Sequence, residues 1–271
     1  MASIASSREL SMDPLRSRPL ACWNHQDASI ALMPRDSGRN RIGLRPRRLR
    51  RIRIMTLDLF PDEPAVEPGE VPLAPGAVLL RGFARASAPR LLEAVAAVTR
   101  AAPFRFMTTP GGFRMSVAMT NCGAAGWITD PSGYRYGPID PLTGEHWPPI
   151  PDVFAKLASQ ASVRAGFGAF TPDACLVNRY EPGTRLSLHQ DRNERDFGAP
   201  IVSVSLGLPA VFLFGGDRRA DKTQRVALAH GDVVVWGGPS RLRFHGVLPL
   251  KDGEHPLVGR RRINLTFRKA L

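Results

Sequence analysis

The chain is poor in cysteine, in acidic residues and in long apolar runs, and each scarcity narrows what it can be. Three cysteines in 271 residues, Cys22, Cys122 and Cys175, are odd in number and have no close paired spacing. That argues against a disulfide framework and against a zinc ribbon, and leaves reduced, buried thiols as the expectation. No apolar run approaches the roughly 18 residues needed to cross a bilayer, and the N-terminus lacks the apolar stretch of a signal peptide. A cytoplasmic protein with no membrane partner is expected. No Ser-His-Asp or Cys-His pattern marks a side-chain nucleophile.

Acidic residues number 24 against 37 Lys and Arg, a formal net charge of +13. The excess is uneven. Residues 1–54 hold twelve Arg against four acidic residues, a net +8, which leaves +5 for the remainder. A bias of that size is compatible with nucleic acid without demanding it. The first 54 residues, ending in Arg45-Pro46-Arg47-Arg48-Leu49-Arg50-Arg51-Ile52-Arg53, show no sustained apolar period and read as disordered. A basic arm, a targeting segment and a start assigned upstream of the real one at Met55 compete. The last is favoured, because Met55-Thr56-Leu57-Asp58-Leu59-Phe60 reads as a natural beginning.

What is present is a loop-rich globular composition, 43% hydrophobic with 25 Gly and 25 Pro, enough to bury one full core over 55–271. After a Pro-rich lead-in, a short strand is predicted over Ala77 to Leu80. A helix follows, capped by Ser87, with Pro89 in its first turn and Leu91, Leu92, Val95 and Val98 on one face. From about 103 to 149 the chain is dense in Gly, Pro and aromatics, a structured cover. A second helix runs from Pro151 to Ala165, with Phe154, Leu157, Ala158 and Ala161 inward and Gly166 ending it. From about 172 the pattern is β. Strands are predicted at Ala174–Tyr180, Leu186–Gln190, Ile201–Leu206, Val211–Phe214, Gln224–Leu228, Asp232–Trp236, Phe244–Val247 and Ile263–Arg268. Eight short strands between Gly and Pro turns indicate a jelly roll.

Two motifs carry chemistry. In Ser187-Leu188-His189-Gln190-Asp191, His189 and Asp191 are two apart, so on a strand both project to one side. With the distant His245 of Arg243-Phe244-His245 they make a two-histidine, one-carboxylate set suited to non-haem Fe(II), with coordination positions left open. From Arg262 to Arg268 the chain alternates strictly, placing Arg262, Asn264, Thr266 and Arg268 on one face and Ile263, Leu265 and Phe267 on the other. A face with two guanidiniums is either a solvated edge strand or the wall of an anion-holding cavity, where a bound dicarboxylate such as 2-oxoglutarate would satisfy both charges. His230 and His255 read more simply as loop residues.

Over 55–271 the chain resembles the AlkB family of Fe(II)- and 2-oxoglutarate-dependent oxygenases. The resemblance rests on Thr109-Pro110-Gly111-Gly112-Phe113, Met119-Thr120-Asn121-Cys122-Gly123, Asn178-Arg179-Tyr180-Glu181-Pro182-Gly183, Leu188-His189-Gln190-Asp191, Ser203-Val204-Ser205-Leu206-Gly207, the run from Gly231 to Gly238, and the final arginine strand. It implies a mainly β fold with flanking helices: a double-stranded β-helix (jelly-roll) core and an N-terminal nucleotide-recognition lid. It implies Fe(II) on His189, Asp191 and His245. It also implies a 2-oxoglutarate pocket of Asn178, Arg179, Tyr180, Arg262, Asn264 and Arg268, in which Arg262 takes the far carboxylate and Arg268 sits by the metal-proximal one. O2 is the second cosubstrate.

The implied reaction is oxidative demethylation of 1-methyladenine and 3-methylcytosine in single-stranded or locally unpaired DNA, with RNA open as a second substrate. Its products are the repaired base, formaldehyde, succinate and CO2, and the enzyme is expected to be a monomer. The implied base pocket contains Trp127, Tyr134, Arg135, Tyr136, Met119, Asn193 and Arg219, with Trp127 on one face of a flipped base and His189 on the other. Stacking and cation–π attraction favour the cationic lesions. Arg218 and Arg219 either hold backbone phosphate or the base edge or form a solvated charge cluster. Two positions depart from the family pattern: Asn193 replaces an acidic residue, and Phe113 stands where a Tyr is expected. The main rival reading is a 2-oxoglutarate-dependent hydroxylase acting on a protein or amino acid; a non-catalytic jelly-roll binding protein is another.

Overall fold

The computed structural model describes residues 68–271; the segment 1–54, with Cys22 and the candidate start at Met55, lies outside them. The major sheet has seven strands in the order β1 (Gly69–Ala74), β2 (Ala77–Arg81), β11 (Val233–Trp236), β8 (Ile201–Gly207), β13 (Arg262–Arg268), β6 (Ala174–Tyr180) and β3 (Ala118–Gly123). The minor sheet has four, β10 (Gln224–Leu228), β9 (Ala210–Phe214), β12 (His245–Val247) and β7 (Leu186–His189). A separate hairpin pairs β4 (Gly126–Asp130) with β5 (Gly133–Gly137). Every pairing is antiparallel. This is the expected jelly roll.

Strand alternation sorts the major sheet into two faces. One face carries Leu80, Val202, Val204, Leu206, Val233, Val235, Ile263, Leu265 and Phe267, and it packs on the helices α1 (Ala88–Ala101) and α2 (Asp152–Arg164) through Leu91, Val95, Val98, Phe154 and Leu157. The other face carries Leu79, Leu176, Tyr180, Ile201, Val234 and Trp236, which meet Phe212, Phe214, Val226, Leu228 and Val247 of the minor sheet. The polar side of β13 therefore looks into the space between the sheets. All seven of its residues are buried, which rules out a solvated edge strand.

Most predicted elements are found within one or two residues. Ser87 precedes α1 as expected, but its side chain caps nothing; the helix is entered through a 3-10 turn, Arg85–Ser87. Three strands of the cover and one before it were not legible. β3 is buried on both faces and reads Ala-Met-Thr-Asn-Cys-Gly, without a period of two. β1 holds Pro72 and survives because it is an edge strand. Cys122 and Cys175 are buried, free and directly opposite one another on β3 and β6.

His230 and His255 do lie in loops, but they are buried and stacked, ring centroids 4.3 Å apart. Each accepts a backbone N–H on Nδ1, from Gly207 at 3.0 Å and from Leu257 at 3.2 Å. That leaves the proton on each Nε2 and makes neither a ready metal ligand. Among the described residues no helix is long and apolar enough to cross a membrane.

Candidate metal and dicarboxylate site

His189 and His245 are direct cross-strand partners on β7 and β12, with ring centroids 4.4 Å apart. Asp191 lies two residues past the end of β7, so it reaches the same point from the continuing chain rather than from the strand. One ligand atom from each of the three lies within 4.8 Å of the others. The histidine tautomers suit a cation. Nδ1 of His189 is 2.8 Å from the Ser187 carbonyl oxygen, and Nδ1 of His245 is 3.0 Å from that of Arg243. A carbonyl accepts only, so each Nδ1 carries the proton and each Nε2 offers its lone pair. Burial, and then the neighbouring His189, push the pKa of His245 down to about 4, which keeps it neutral and able to ligate at pH 7.

Asp191 is held by Arg268. Arg268 donates to Oδ2 through Nε at 2.8 Å and approaches it through Nη2 at 2.6 Å. Oδ1 faces His189 Nε2 and Oδ2 faces His245 Nε2, each at 3.8 Å. Burial alone would raise the Asp191 pKa, but Arg268 and then the two imidazoles hold it below the usual carboxylate range. Arg268 is raised in turn, against its own burial, chiefly by Asp191.

One dicarboxylate does not serve both arginines of β13, because Asp191 and Glu194 already pair Arg268. Arg262 differs. It is 2% exposed, and no acidic side chain pairs with it among the described residues. Its Nη2 donates to Ser205 Oγ at 2.9 Å and its guanidinium lies 4.9 Å from the centre of the Tyr180 ring, while Nε and Nη1 have no partner. Burial lowers its pKa. A buried guanidinium with two idle donors is costly unless an anion meets it. Asn178 sits two residues from Tyr180 on the same face of β6 and donates its Nδ2 to Asn264; its unpartnered Oδ1 can only accept, so it lines the pocket without binding a carboxylate through that atom. The two idle donors of Arg262 fit a bound carboxylate.

Asn264 is committed to the protein. It donates to Ser203 Oγ and the Val204 carbonyl, and it accepts from Asn178 and Thr266, so it shapes the pocket. Arg179 is not brought to the cluster. Strand alternation turns it to the opposite face of β6, where its guanidinium lies over Phe104, 4.8 Å from the ring centre.

The residues expected around a base are dispersed along the hairpin and the mouth. Trp127 on β4 and Tyr134 on β5 stack on each other, centroids 5.6 Å apart and 20° between planes. Both backbone groups of Trp127 are taken by the Asn121 side chain, at 3.0 Å each. Arg135 is tied within the hairpin to Asp130 and Ser132. Tyr136 lies opposite Trp127 and donates its hydroxyl to Glu194 at 2.7 Å. Met119 is buried on β3 opposite Asn178. Asn193 is exposed. Arg219 donates to the Leu188 carbonyl at 2.6 Å and packs on Phe244, beside β7; Arg218 is exposed. Phe113 is 77% exposed at the closing end of a turn, where its carbonyl accepts from Thr109 N–H.

Sequence reasoning missed Glu194 and Arg241. Both are buried, although Glu194 follows two exposed residues and Arg241 stands in a Gly-Gly-Pro-Ser-Arg-Leu-Arg loop that looks like surface. Only the Asp-x-x-Glu spacing could have hinted at the first.

Comparison with known proteins agrees with this geometry. The model of the 2OG-Fe(II) oxygenase superfamily matches residues 76–268. The alpha-ketoglutarate-dependent dioxygenase AlkB of Salmonella typhimurium is 60% identical over 214 residues, 79% of this chain and 98% of that protein. Its Escherichia coli counterpart is 58% identical over the same shares, and the AlkB homolog of Caulobacter vibrioides is 46% identical over 73% of this chain and 89% of that one. Among solved structures, OsALKBH1 matches with a TM-score of 0.65 at 31% identity, covering 74% of this chain and all of that one. Two paired histidines beside a carboxylate, a buried arginine with two unpartnered donors and the jelly roll that joins them thus coincide with the sequence match, and the chain belongs to the AlkB family of Fe(II)- and 2-oxoglutarate-dependent dioxygenases.

Proposed function

We propose that this enzyme removes methyl groups oxidatively from ring nitrogens of bases in single-stranded or locally unpaired DNA, with 1-methyladenine and 3-methylcytosine as its main substrates. The observation that carries this reading is a metal-competent His189, Asp191 and His245 set in the same inter-sheet space as the unpaired guanidinium of Arg262. The relatives' names support it: two bacterial proteins at about 60% identity are alpha-ketoglutarate-dependent dioxygenases AlkB, and a more distant Mus musculus relative is a nucleic acid dioxygenase.

In this reading His189 Nε2, His245 Nε2 and the Asp191 carboxylate would hold Fe(II). Arg262, steadied by Ser205, takes the far carboxylate of 2-oxoglutarate through its idle Nε and Nη1, and Asn178 and Tyr180 close that end. When bound, iron, 2-oxoglutarate and O2 supply an oxidation that turns the N-methyl group into a hydroxymethyl group, which leaves as formaldehyde while succinate and CO2 form. The protein's own contribution is position. Segment 103–149 acts as the lid, over a core of about 172–271. Its Trp127–Tyr134 pair offers an aromatic face to a base lifted from the stack, and the cationic lesions gain most from such a face. Met119 walls the pocket, and Arg219 reaches toward phosphate or base edge. Exposed Asn193 meets the base edge without charge. The enzyme acts as a monomer.

The test is formaldehyde release from a methylated single-stranded oligonucleotide with Fe(II), ascorbate and 2-oxoglutarate. His189→Ala, Asp191→Ala and His245→Ala should each abolish it while circular dichroism stays unchanged. Release surviving any one substitution removes that residue from the metal site.

A further inference from the structure

Glu194 has no place in the metal or dicarboxylate sites, yet its side chain is 2% exposed and charged. Three groups meet it. Tyr136 donates to Oε1 at 2.7 Å, Arg241 Nη2 to Oε2 at 3.2 Å, and Arg268 Nε lies 3.4 Å from Oε1. The same two arginines grip Asp191 at both ends. Arg268 meets carboxylate Oδ2, and Arg241 Nη1 donates to the Asp191 backbone oxygen at 2.8 Å. Two carboxylates and two guanidiniums thus form one closed, charge-balanced and buried cluster. Charge balance alone does not require Tyr136.

Tyr136 brings the hairpin into the cluster. It lies on β5, directly opposite Trp127 on β4, so the residue carrying the aromatic face and the residue bonded to Glu194 are cross-strand neighbours. The distances also rank the contacts of Arg268. Its Nε is at 2.8 Å from Asp191 Oδ2 and at 3.4 Å from Glu194 Oε1, the oxygen that the Tyr136 hydroxyl occupies. A carboxylate oxygen already accepting a phenol is a weaker partner for a second donor. While Tyr136 is in place, Arg268 is therefore biased toward Asp191, and its grip on Oδ2 holds the carboxylate against rotation with one oxygen toward each histidine. If the hairpin lifts, Oε1 is freed and draws Arg268 away.

We propose that Glu194 is a positioning residue that couples seating of the β4–β5 hairpin over the substrate to the orientation of the metal ligand Asp191, through Tyr136 on one side and Arg268 and Arg241 on the other. This rests on the metal and substrate assignments given above. It gives the enzyme a means of completing its metal site when a base is held, which limits 2-oxoglutarate consumption without repair.

The experiment uses the full chain loaded with Co(II) in place of Fe(II), with 2-oxoglutarate, followed by visible absorption before and after a methylated single-stranded oligonucleotide. The wild type should show cobalt bands that change on adding oligonucleotide. Tyr136→Phe should bind cobalt with the same starting bands and fail to show the change at saturating oligonucleotide. With iron, it should consume about tenfold more 2-oxoglutarate per base repaired, the scale of one hydrogen bond to a charged acceptor. Glu194→Gln keeps an acceptor for Tyr136 and should retain part of the response, whereas Glu194→Ala should lose it. A wild-type band change and a wild-type consumption ratio in Tyr136→Phe would overturn the coupling, as would wild-type cobalt bands that ignore the oligonucleotide. Absence of cobalt bands from the wild type itself would instead overturn the metal assignment beneath it.

Discussion

At the scale of single residues, Arg262 and Asn193 make opposite kinds of claim. Arg262 is buried with two donors idle, so its worth lies in the anion it meets. Arg262→Ala should raise the 2-oxoglutarate requirement steeply, by about 2–5 kcal/mol, because the partner carboxylate then stays buried without a counter-charge. Titration of turnover against 2-oxoglutarate measures this, and an unchanged requirement would transfer the role to another residue. Asn193 is exposed and neutral where the family resemblance leads one to expect an acidic residue. A carboxylate there would attract a cationic base, whereas an amide offers hydrogen bonds alone. The wild type should therefore show a smaller preference for 1-methyladenine and 3-methylcytosine over neutral 1-methylguanine and 3-methylthymine than Asn193→Asp does, compared in one oligonucleotide context at fixed salt. Identical rankings would mean that position 193 does not sense base charge.

At the scale of elements, the hairpin β4–β5 is fastened at identifiable points: Asn121 on the Trp127 backbone, Trp147 Nε1 on the Gly137 carbonyl at 2.9 Å, and Tyr136 on Glu194. The close approach at its start requires glycine. A Cβ on Gly126 would lie 2.4 Å from the Trp147 ring and 2.8 Å from Asn121 Cβ. Gly126→Ala should shift the hairpin, raising KM for oligonucleotide with little change in the requirement for 2-oxoglutarate; equal effects on both would show that the hairpin is not a separate substrate element. Legibility in the sequence also divides by element. β13 was readable because its two faces differ in polarity, and both helices because their apolar faces recur at helical spacing. β3 was not, since a strand buried on both sides has no period to detect. Trp127 and Tyr134 were named only through the family resemblance, and the Glu194 and Arg241 links join segments far apart in sequence, which no local pattern encodes.

At the scale of the whole molecule, the helices, the major sheet and the minor sheet form three layers, with the chemistry in the space between the sheets. Burial lowers the pKa of His230 and of His245, so the assembly is expected to lose stability in acid. His230 is pushed down to about 4 by burial, then by His255 and Arg85, with Asp232 opposing. Unfolded, it would take up a proton near pH 6.5. The unfolded chain then binds more protons between these values, so the stability His230 contributes is complete above about pH 6.5 and is lost as pH falls toward 4. Chemical denaturation at pH 7 and pH 4.5 should show this loss, and His230→Gln, which still accepts the Gly207 N–H, should lose about 1–3 kcal/mol less over that interval. Equal losses in the two proteins would assign the acid sensitivity elsewhere.

The most direct measurement of what these layers do together is mass spectrometry of a single-stranded oligonucleotide carrying one 1-methyladenine, incubated with the enzyme, Fe(II), ascorbate and 2-oxoglutarate. The expected result is conversion to the unmodified oligonucleotide, with formaldehyde and succinate formed in equal amounts and no conversion when 2-oxoglutarate is omitted or Asp191 is replaced by Ala. An oligonucleotide that keeps its methyl group while 2-oxoglutarate is consumed on a protein or amino acid substrate would contradict base demethylation.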